Sequence, residues 1–304
     1  MSRDWSTADI PDQAGRTFLI TGANSGLGLE TAKAVAARGA RVVMAVRTPA
    51  KGEAAAAAIK AEVPGADLEV RRLDLADLDA VRSFAEGFDT GIDVLVNNAG
   101  IMAPPRSLSK QGHESQFATN HLGHFALTGL LLDRLQGPDP RVVTVASLAS
   151  NHGDVYFDDL TGERRYSATR YYGQSKLANL LFGIELDRRL RAAGNPAKSV
   201  MAHPGLSATD LLQSMRPVVR FIGRVLMPLA TQPASTGALP QLYAATEPKA
   251  EGGQYIGPRH RGEHQGPPVI VRARAEAYDP ATARRLWDVS EELTRVRFPL
   301  PATA

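Results

Sequence analysis

The first two hundred residues alternate short apolar runs with helical stretches, and few architectures accept that alternation. "RTFLIT" (16–21), "RVVMAV" (41–46), "LEVRRLDL" (68–75), "IDVLVNNAG" (92–100), "RVVTVAS" (141–147) and "KSVMAHPG" (198–205) read as strands. "LGLETAKAVAARG" (27–39), "PAKGEAAAAAIKAEV" (49–63), "DLDAVRSFAEGF" (77–88) and the stretches 110–135 and 170–191 read as helices between them. Cores such as "VLV" and "VVTV" lack polar alternation, which fits strands buried on both faces. Repeated strand–helix units make a parallel sheet with helices on both sides. The expected fold class is therefore α/β, a doubly wound parallel sheet in a single domain over residues 1–304.

Composition narrows the function. Of the 304 residues, 43% are apolar and 22% charged, and the net charge is +3. Arg and Lys are scattered among Asp and Glu, so no nucleic-acid partner is expected. The absence of cysteine excludes disulfides, thiolate nucleophiles and Cys-ligated metal sites, and fits a cytoplasmic location. The start carries no apolar core of a signal peptide. No run of about 18 apolar residues suggests a membrane span.

No linker or repeat divides the chain; Pro138 and Pro140 sit in a turn between elements. Beyond Gly205 the pattern weakens. The segment 211–230 is apolar but broken by Pro217 and Pro228. It reads as a substrate lid, with an interface or a membrane-surface contact as alternatives. The polar stretch "GPRHRGEHQGPP" (257–268) reads as a solvent loop, with an oligomer contact as the lesser option. The tail 281–296 reads as a helix with Leu286, Val289, Leu293 and Val296 as its stripe, and Trp287 packs beside it.

Chemistry collects at strand ends. "TGANSGLG" (21–28) follows a strand and opens a helix, the setting of a phosphate-cradling loop. Gly22, Gly26 and Gly28 let backbone approach a pyrophosphate, with Asn24, Ser25 and Leu27 between them. A tight structural turn is the plainer reading. An acid at the end of the second strand would bind a ribose 2′-hydroxyl. Arg47 stands there instead, with Lys51 a turn later. A guanidinium suits a 2′-phosphate, which favours NADP(H) over NAD(H), unless Arg47 is merely a solvated loop residue. Asp74, followed by Leu75, ends the third strand, where it can accept from an adenine amino group or cap a turn. Asn98, Ala99 and Gly100 end the fourth, leaving room for a ribose. Ser147 ends the fifth.

"RYYGQSKLANLLF" (170–182) carries Leu177, Leu180 and Leu181 at helical spacing. Tyr172 and Lys176 are four residues apart and share a face. A neighbouring ammonium lowers a phenol's pKa. Tyr172 is thus a candidate proton donor or acceptor, or one half of a surface pair. Tyr171 points away and packs or lines a pocket.

Together these residues resemble the short-chain dehydrogenase/reductase family, a group of Rossmann-fold oxidoreductases. The matching motifs are "TGANSGLG", "NNAG", "NHLG" with Asn120, Ser147, "YGQSK" and "HPG" (203–205) followed by Thr209. "SQFATNHLGHFALT", "YGQSKLANLLF" and "ARRLWDVSEEL" resemble its retinol dehydrogenase-like and protochlorophyllide reductase-like branch. The resemblance implies Tyr172 as general acid and base, with Lys176 lowering its pKa and holding the nicotinamide ribose. It implies Ser147 on the substrate oxygen and Asn120 anchoring a water in a proton relay. Pro204, Gly205 and Thr209 would contact the nicotinamide end. The expected partner is an apolar carbonyl or alcohol, and the expected assembly a homo-oligomer (dimer or tetramer), with a monomer as the alternative. Ser147 and Tyr172 are 25 residues apart, and the intervening 152–169 segment is expected to shape the substrate pocket. The chain lacks the apolar anchor of membrane-bound retinoid enzymes, so the resemblance carries the reaction type rather than the retinoid.

His121, His124 and His203 flank motif residues without a converging acid, so no metal site is expected; His203 reads as a packing or hydrogen-bonding residue. Two other functions stay open. One is a non-catalytic module sensing NADP(H), which retention of Tyr172 and Lys176 argues against. The other is reduction of a C=C bond in a cyclic tetrapyrrole-like substrate, which a pocket without cysteine argues against.

Overall fold

Strands β4 (Val94–Asn97) and β5 (Arg141–Val145) are buried at every residue, as continuous apolar runs require when both faces are covered. In the computed structural model, residues 4–206 and 232–300 are described; Thr209 and the 211–230 segment lie outside them. Ahead of β4 come β1 (Thr17–Thr21), α1 (Gly26–Ala36), β2 (Arg41–Val46), α2 (Pro49–Glu62), β3 (Asp67–Arg72) and α3 (Leu78–Glu86). After it, α4 (Ser115–Phe117), a π-helical turn (Ala118–Leu122) and α5 (Gly123–Leu131) lead to β5. Then follow α6 (Ala168–Ala192), β6 (Lys198–Ala202), α7 (Ala234–Gly237), α8 (Leu239–Thr246), β7 (Tyr255–His260), β8 (Gln265–Val271) and α9 (Pro280–Thr294).

The strands form one sheet in the order β3-β2-β1-β4-β5-β6-β7-β8. All neighbours are parallel except β7 and β8. On one face, Val81, Phe125, Phe182 and Leu186 from α3, α5 and α6 pack on Leu95 and Val142. On the other, Val35, Ile59 and Leu242 from α1, α2 and α8 pack on Phe18, Val42 and Val143. The doubly wound sheet expected from the strand–helix alternation is present.

Trp287 of α9 is buried among Phe125, Phe182 and Phe298, with ring centroids 5.1, 5.9 and 4.5 Å away. The Arg189 guanidinium stacks 4.2 Å from its ring. This cluster pins the C-terminal helix to α5 and α6.

Two expectations fail. The 257–268 stretch is not a solvent loop but an antiparallel hairpin, β7–β8, that extends the sheet. Its prolines concealed it, since Pro258 and Pro268 face one another. They are tolerated because β6 pairs with β7 only at Tyr255 and Ile256, so Pro258 lies beyond that ladder, and β8 is an edge strand. The helix expected from residue 110 begins only at Ser115. There the Glu114 carboxylate accepts from the backbone N–H groups of Gln116 and Phe117 and caps the start.

Candidate active site

Strand order reverses between β1 and β4, and the crevice outside their carboxyl ends is where such sheets bind ligands. A cleft of about 420 Å³ lies there. Its wall brings together Gly22, Asn24, Ser25, Gly26 and Leu27 with Asn98, Ala99 and Gly100. Arg47, Thr48 and Lys51 after β2, and Asp74 and Leu75 after β3, complete it.

The glycines work by close approach. Gly22 has φ +67°, which an L side chain rarely adopts, and a Cβ there would sit 3.0 Å from Ala99. A Cβ on Gly28 would lie 2.5 Å from the Gly22 carbonyl, so Gly28 packs the loop on its own helix and does not line the cleft. Ser25, the N-cap of α1, makes no side-chain cap bond. The first-turn N–H groups are thus left to face the cleft with the positive end of the helix dipole. With two cations at the β2 end, this donor set fits a dinucleotide carrying phosphates at both places. The Asp74 carboxylate accepts from Ala76 N–H at 3.0 Å, so it caps its turn as well as lining the cleft.

A network that the sequence did not reveal holds the floor. The Thr21 hydroxyl oxygen accepts from the backbone N–H groups of Asn98 and Ala99, at 2.9 and 3.0 Å. His124 Nδ1 lies 3.0 Å from the Asn120 carbonyl and Nε2 lies 2.9 Å from the Thr21 hydroxyl. A carbonyl only accepts, so Nδ1 carries the hydrogen and Thr21 donates to Nε2. Burial lowers the His124 pKa to about 4, which keeps the ring neutral in this tautomer. The Asn98 side chain donates to the Thr21 carbonyl at 2.8 Å and its oxygen accepts from Gln241. The Asn98 amide thus braces the end of β4 against β1.

The four candidate catalytic residues converge beside this floor. Tyr172 and Lys176 lie on α6, both buried. The Ser147 hydroxyl lies close enough to the Tyr172 phenol to lower its pKa, and its oxygen accepts from Ala149 N–H at 3.2 Å. Lys176 Nζ donates to the Val145 carbonyl at 3.1 Å. A Cβ on Gly100 would lie 3.3 Å from Asn120 Oδ1 and 3.5 Å from Lys176 Nζ, so those groups meet at the cleft wall. Asn120 sits in the π-helical turn, a rare geometry often found at functional sites. Its side chain accepts from Ile101 N–H at 2.9 Å and donates to Ile101 O and Ser175 Oγ.

One electrostatic expectation is overturned. Burial pushes the Tyr172 phenol up to about 12, outweighing the Ser147 hydrogen bond that lowers it. Burial also lowers Lys176 to about 8. Desolvation of both groups dominates over their mutual effect. Tyr171 points away as expected; its hydroxyl donates to the Asp159 carbonyl at 2.6 Å.

Pro204 and Gly205 follow β6 in a turn where Gly205 has φ +64°. The buried His203 accepts from Gly205 N–H through Nδ1 at 3.3 Å, and its Nε2 lies 3.0 Å from Glu263 of the hairpin tip. The hydrogen-bonding role expected of His203 is present. No group of three or more metal-ligating side chains occurs among the described residues. No described helix is long and apolar enough to cross a membrane.

A doubly wound sheet with a glycine-rich loop and a Ser–Tyr–Lys–Asn cluster defines the class of nicotinamide-dependent oxidoreductases. The family described as "short chain dehydrogenase" matches residues 16–218, and the chain belongs to it. It is similar to human retinol dehydrogenase 12, with 41% identity over 288 residues covering 93% of this chain and 88% of that protein. Human retinol dehydrogenase 11 is 40% identical over 292 residues, covering 95% and 87%. A crystal structure of an uncharacterized protein from Mycobacterium paratuberculosis is 48% identical, with a TM-score of 0.84, covering 98% of this chain and all of that one. The protein is a retinol dehydrogenase-like member of the family and an NAD(P)-dependent oxidoreductase.

Proposed function

We propose that the protein uses NADP(H) to interconvert a carbonyl and an alcohol on an apolar substrate, with Tyr172 moving the proton. The observation that carries this reading is that Lys176 and Asn120 meet at Gly100, with Tyr172 one turn earlier on the same helix and Ser147 beside its phenol, on the wall of a cleft whose far end carries Arg47 and Lys51. Two cations and no carboxylate between Val46 and Gly52 favour a 2′-phosphate over a free ribose hydroxyl.

When bound, the nicotinamide supplies or takes up the hydride. Tyr172, held protonated by burial, donates its phenol proton to the oxygen on which charge develops. The Ser147 hydroxyl, close to that phenol, orients the same oxygen. The Lys176 ammonium, on the same helix face, stabilises the phenolate left behind. Asn120 holds the turn beside Lys176, so that a water there can return the proton. In alcohol oxidation the same groups act in reverse. The retinol dehydrogenase names of the relatives support a long apolar substrate.

The test is oxidation of NADPH and of NADH, followed by near-UV absorbance, with a panel of apolar aldehydes and ketones that includes retinal. Turnover with NADPH, weak with NADH, is expected. Tyr172→Phe should lower kcat by ~10²–10⁴-fold while NADPH still binds. Near-normal turnover of that variant would remove Tyr172 from the mechanism.

A further inference from the structure

Arg261, Gly262 and Glu263, at the tip of the β7–β8 hairpin, all have left-handed backbones, with φ of 53°, 65° and 67°. Such a conformation suits glycine and strains glutamate. A strained residue kept at a loop tip is reason to ask what its side chain does.

The Glu263 carboxylate reaches a buried histidine. His203 has no solvent exposure, and its Nε2 is 3.0 Å from Glu263 Oε2. Because Nδ1 accepts from Gly205 N–H, the ring hydrogen sits on Nε2 and is donated to Glu263. Tyr255 packs against the ring with centroids 5.0 Å apart. A Cβ on Gly257 would meet Nε2 at 2.1 Å, so the ring occupies the space above β7. The same tip holds the turn a second time, since Leu206 N–H donates to the His264 carbonyl at 2.9 Å. Gln232 adds a third tie, donating to the Pro204 carbonyl at 2.8 Å and accepting from Gly266 N–H at 3.1 Å. The turn at 204–206 therefore hangs from the hairpin, and Glu263 supports it through a carboxylate.

We propose that Glu263 is a positioning residue which, through His203, fixes the Pro204–Gly205 turn against the nicotinamide end of the bound cofactor. This rests on the NADP(H) reading above and on the place at the nicotinamide end that the family resemblance implies for Pro204 and Gly205. A residue acting only at that end affects the whole dinucleotide but not its adenosine half. Adenosine 2′,5′-bisphosphate carries the phosphates that the Gly22–Gly26 loop and Arg47 would hold and lacks the nicotinamide.

Dissociation constants for NADPH and for adenosine 2′,5′-bisphosphate are measured on the full chain as wild type, Glu263→Ala, Glu263→Gly and Glu263→Gln. Loss of a hydrogen bond to a charged group should weaken NADPH about tenfold in Glu263→Ala. The bisphosphate should stay within about twofold, since it makes no contact at the turn. Glu263→Gly removes the carboxylate while relaxing the backbone, so it should match Glu263→Ala even if alanine disturbs the tip. Glu263→Gln still accepts from His203 and should hold NADPH within about threefold of wild type. Weakening of both ligands together, or of neither, in the alanine and glycine variants overturns the proposal. Wild-type protein that binds neither ligand overturns the cofactor reading itself, a separate result.

Discussion

Lys176 stands one helical turn after Tyr172, with its ammonium 5.8 Å from the centre of the phenol ring and bonded to the Val145 carbonyl at the end of β5. Helix spacing aligns the pair, and the strand end holds the lysine in place. Burial then sets their protonation, raising the phenol to about 12 and lowering the ammonium to about 8.

That ordering gives a pH dependence. In the proposed mechanism, carbonyl reduction requires a protonated Tyr172 and a charged Lys176. The phenol stays protonated across the neutral range, so Lys176 limits the reaction. A profile of kcat/KM for aldehyde reduction should be level below about pH 8 and fall above it. A level profile to pH 10 would show that the Lys176 charge is not needed.

The same shift has a consequence for stability. Lys176 falls in the folded protein from 10.5 to about 8. Below pH 8 it is charged in both states, and its burial cost is fully present. Between 8 and 10.5 the unfolded chain holds more protons, so this group's penalty eases as pH rises. Lys176→Met should therefore be more stable at pH 7 by roughly 1–3 kcal/mol, yet without turnover. Urea unfolding measures the first and the NADPH assay the second.

Arg47 should set cofactor choice. Arg47→Ala is expected to lower kcat/KM with NADPH by ~10–100-fold, the worth of a charge-assisted bond to a phosphate, with NADH changed little. Equal losses with both cofactors would show that Arg47 acts on the shape of the loop rather than on a 2′-phosphate.

Thr21 should matter to both stability and binding. Thr21→Val leaves the N–H groups of Asn98 and Ala99 and the Nε2 of His124 without their shared partner. The expected cost is about 2–4 kcal/mol, with weaker NADPH binding because the cleft wall carries Asn98 and Ala99. Thr21→Ser keeps the hydroxyl and should restore both. Denaturation midpoints and cofactor titration report the two effects.

Trp287 tests the attachment of the C-terminal helix. Trp287→Ala removes the centre of the Phe125–Phe182–Phe298 cluster and should cost about 3–5 kcal/mol. Because the cluster lies away from the cleft, NADPH affinity measured well below the unfolding midpoint should change little.

The sequence by itself determined what depends on neighbours along the chain. Tyr172 and Lys176 share a face because any α-helix puts positions four apart together. The glycine loop was legible because a strand, a turn and a helix follow one another within twenty residues, and the buried strands because their apolar runs admit no solvent face. Tertiary structure decided what depends on partners far apart. Thr21 meets His124 across 103 positions and His203 meets Glu263 across 60; neither pair has a local signature. The hairpin was hidden because an edge strand tolerates prolines and needs no apolar alternation on its open side. The Tyr172 pKa could not be read from spacing, since desolvation depends on everything packed around the phenol and here exceeds what one aligned neighbour contributes.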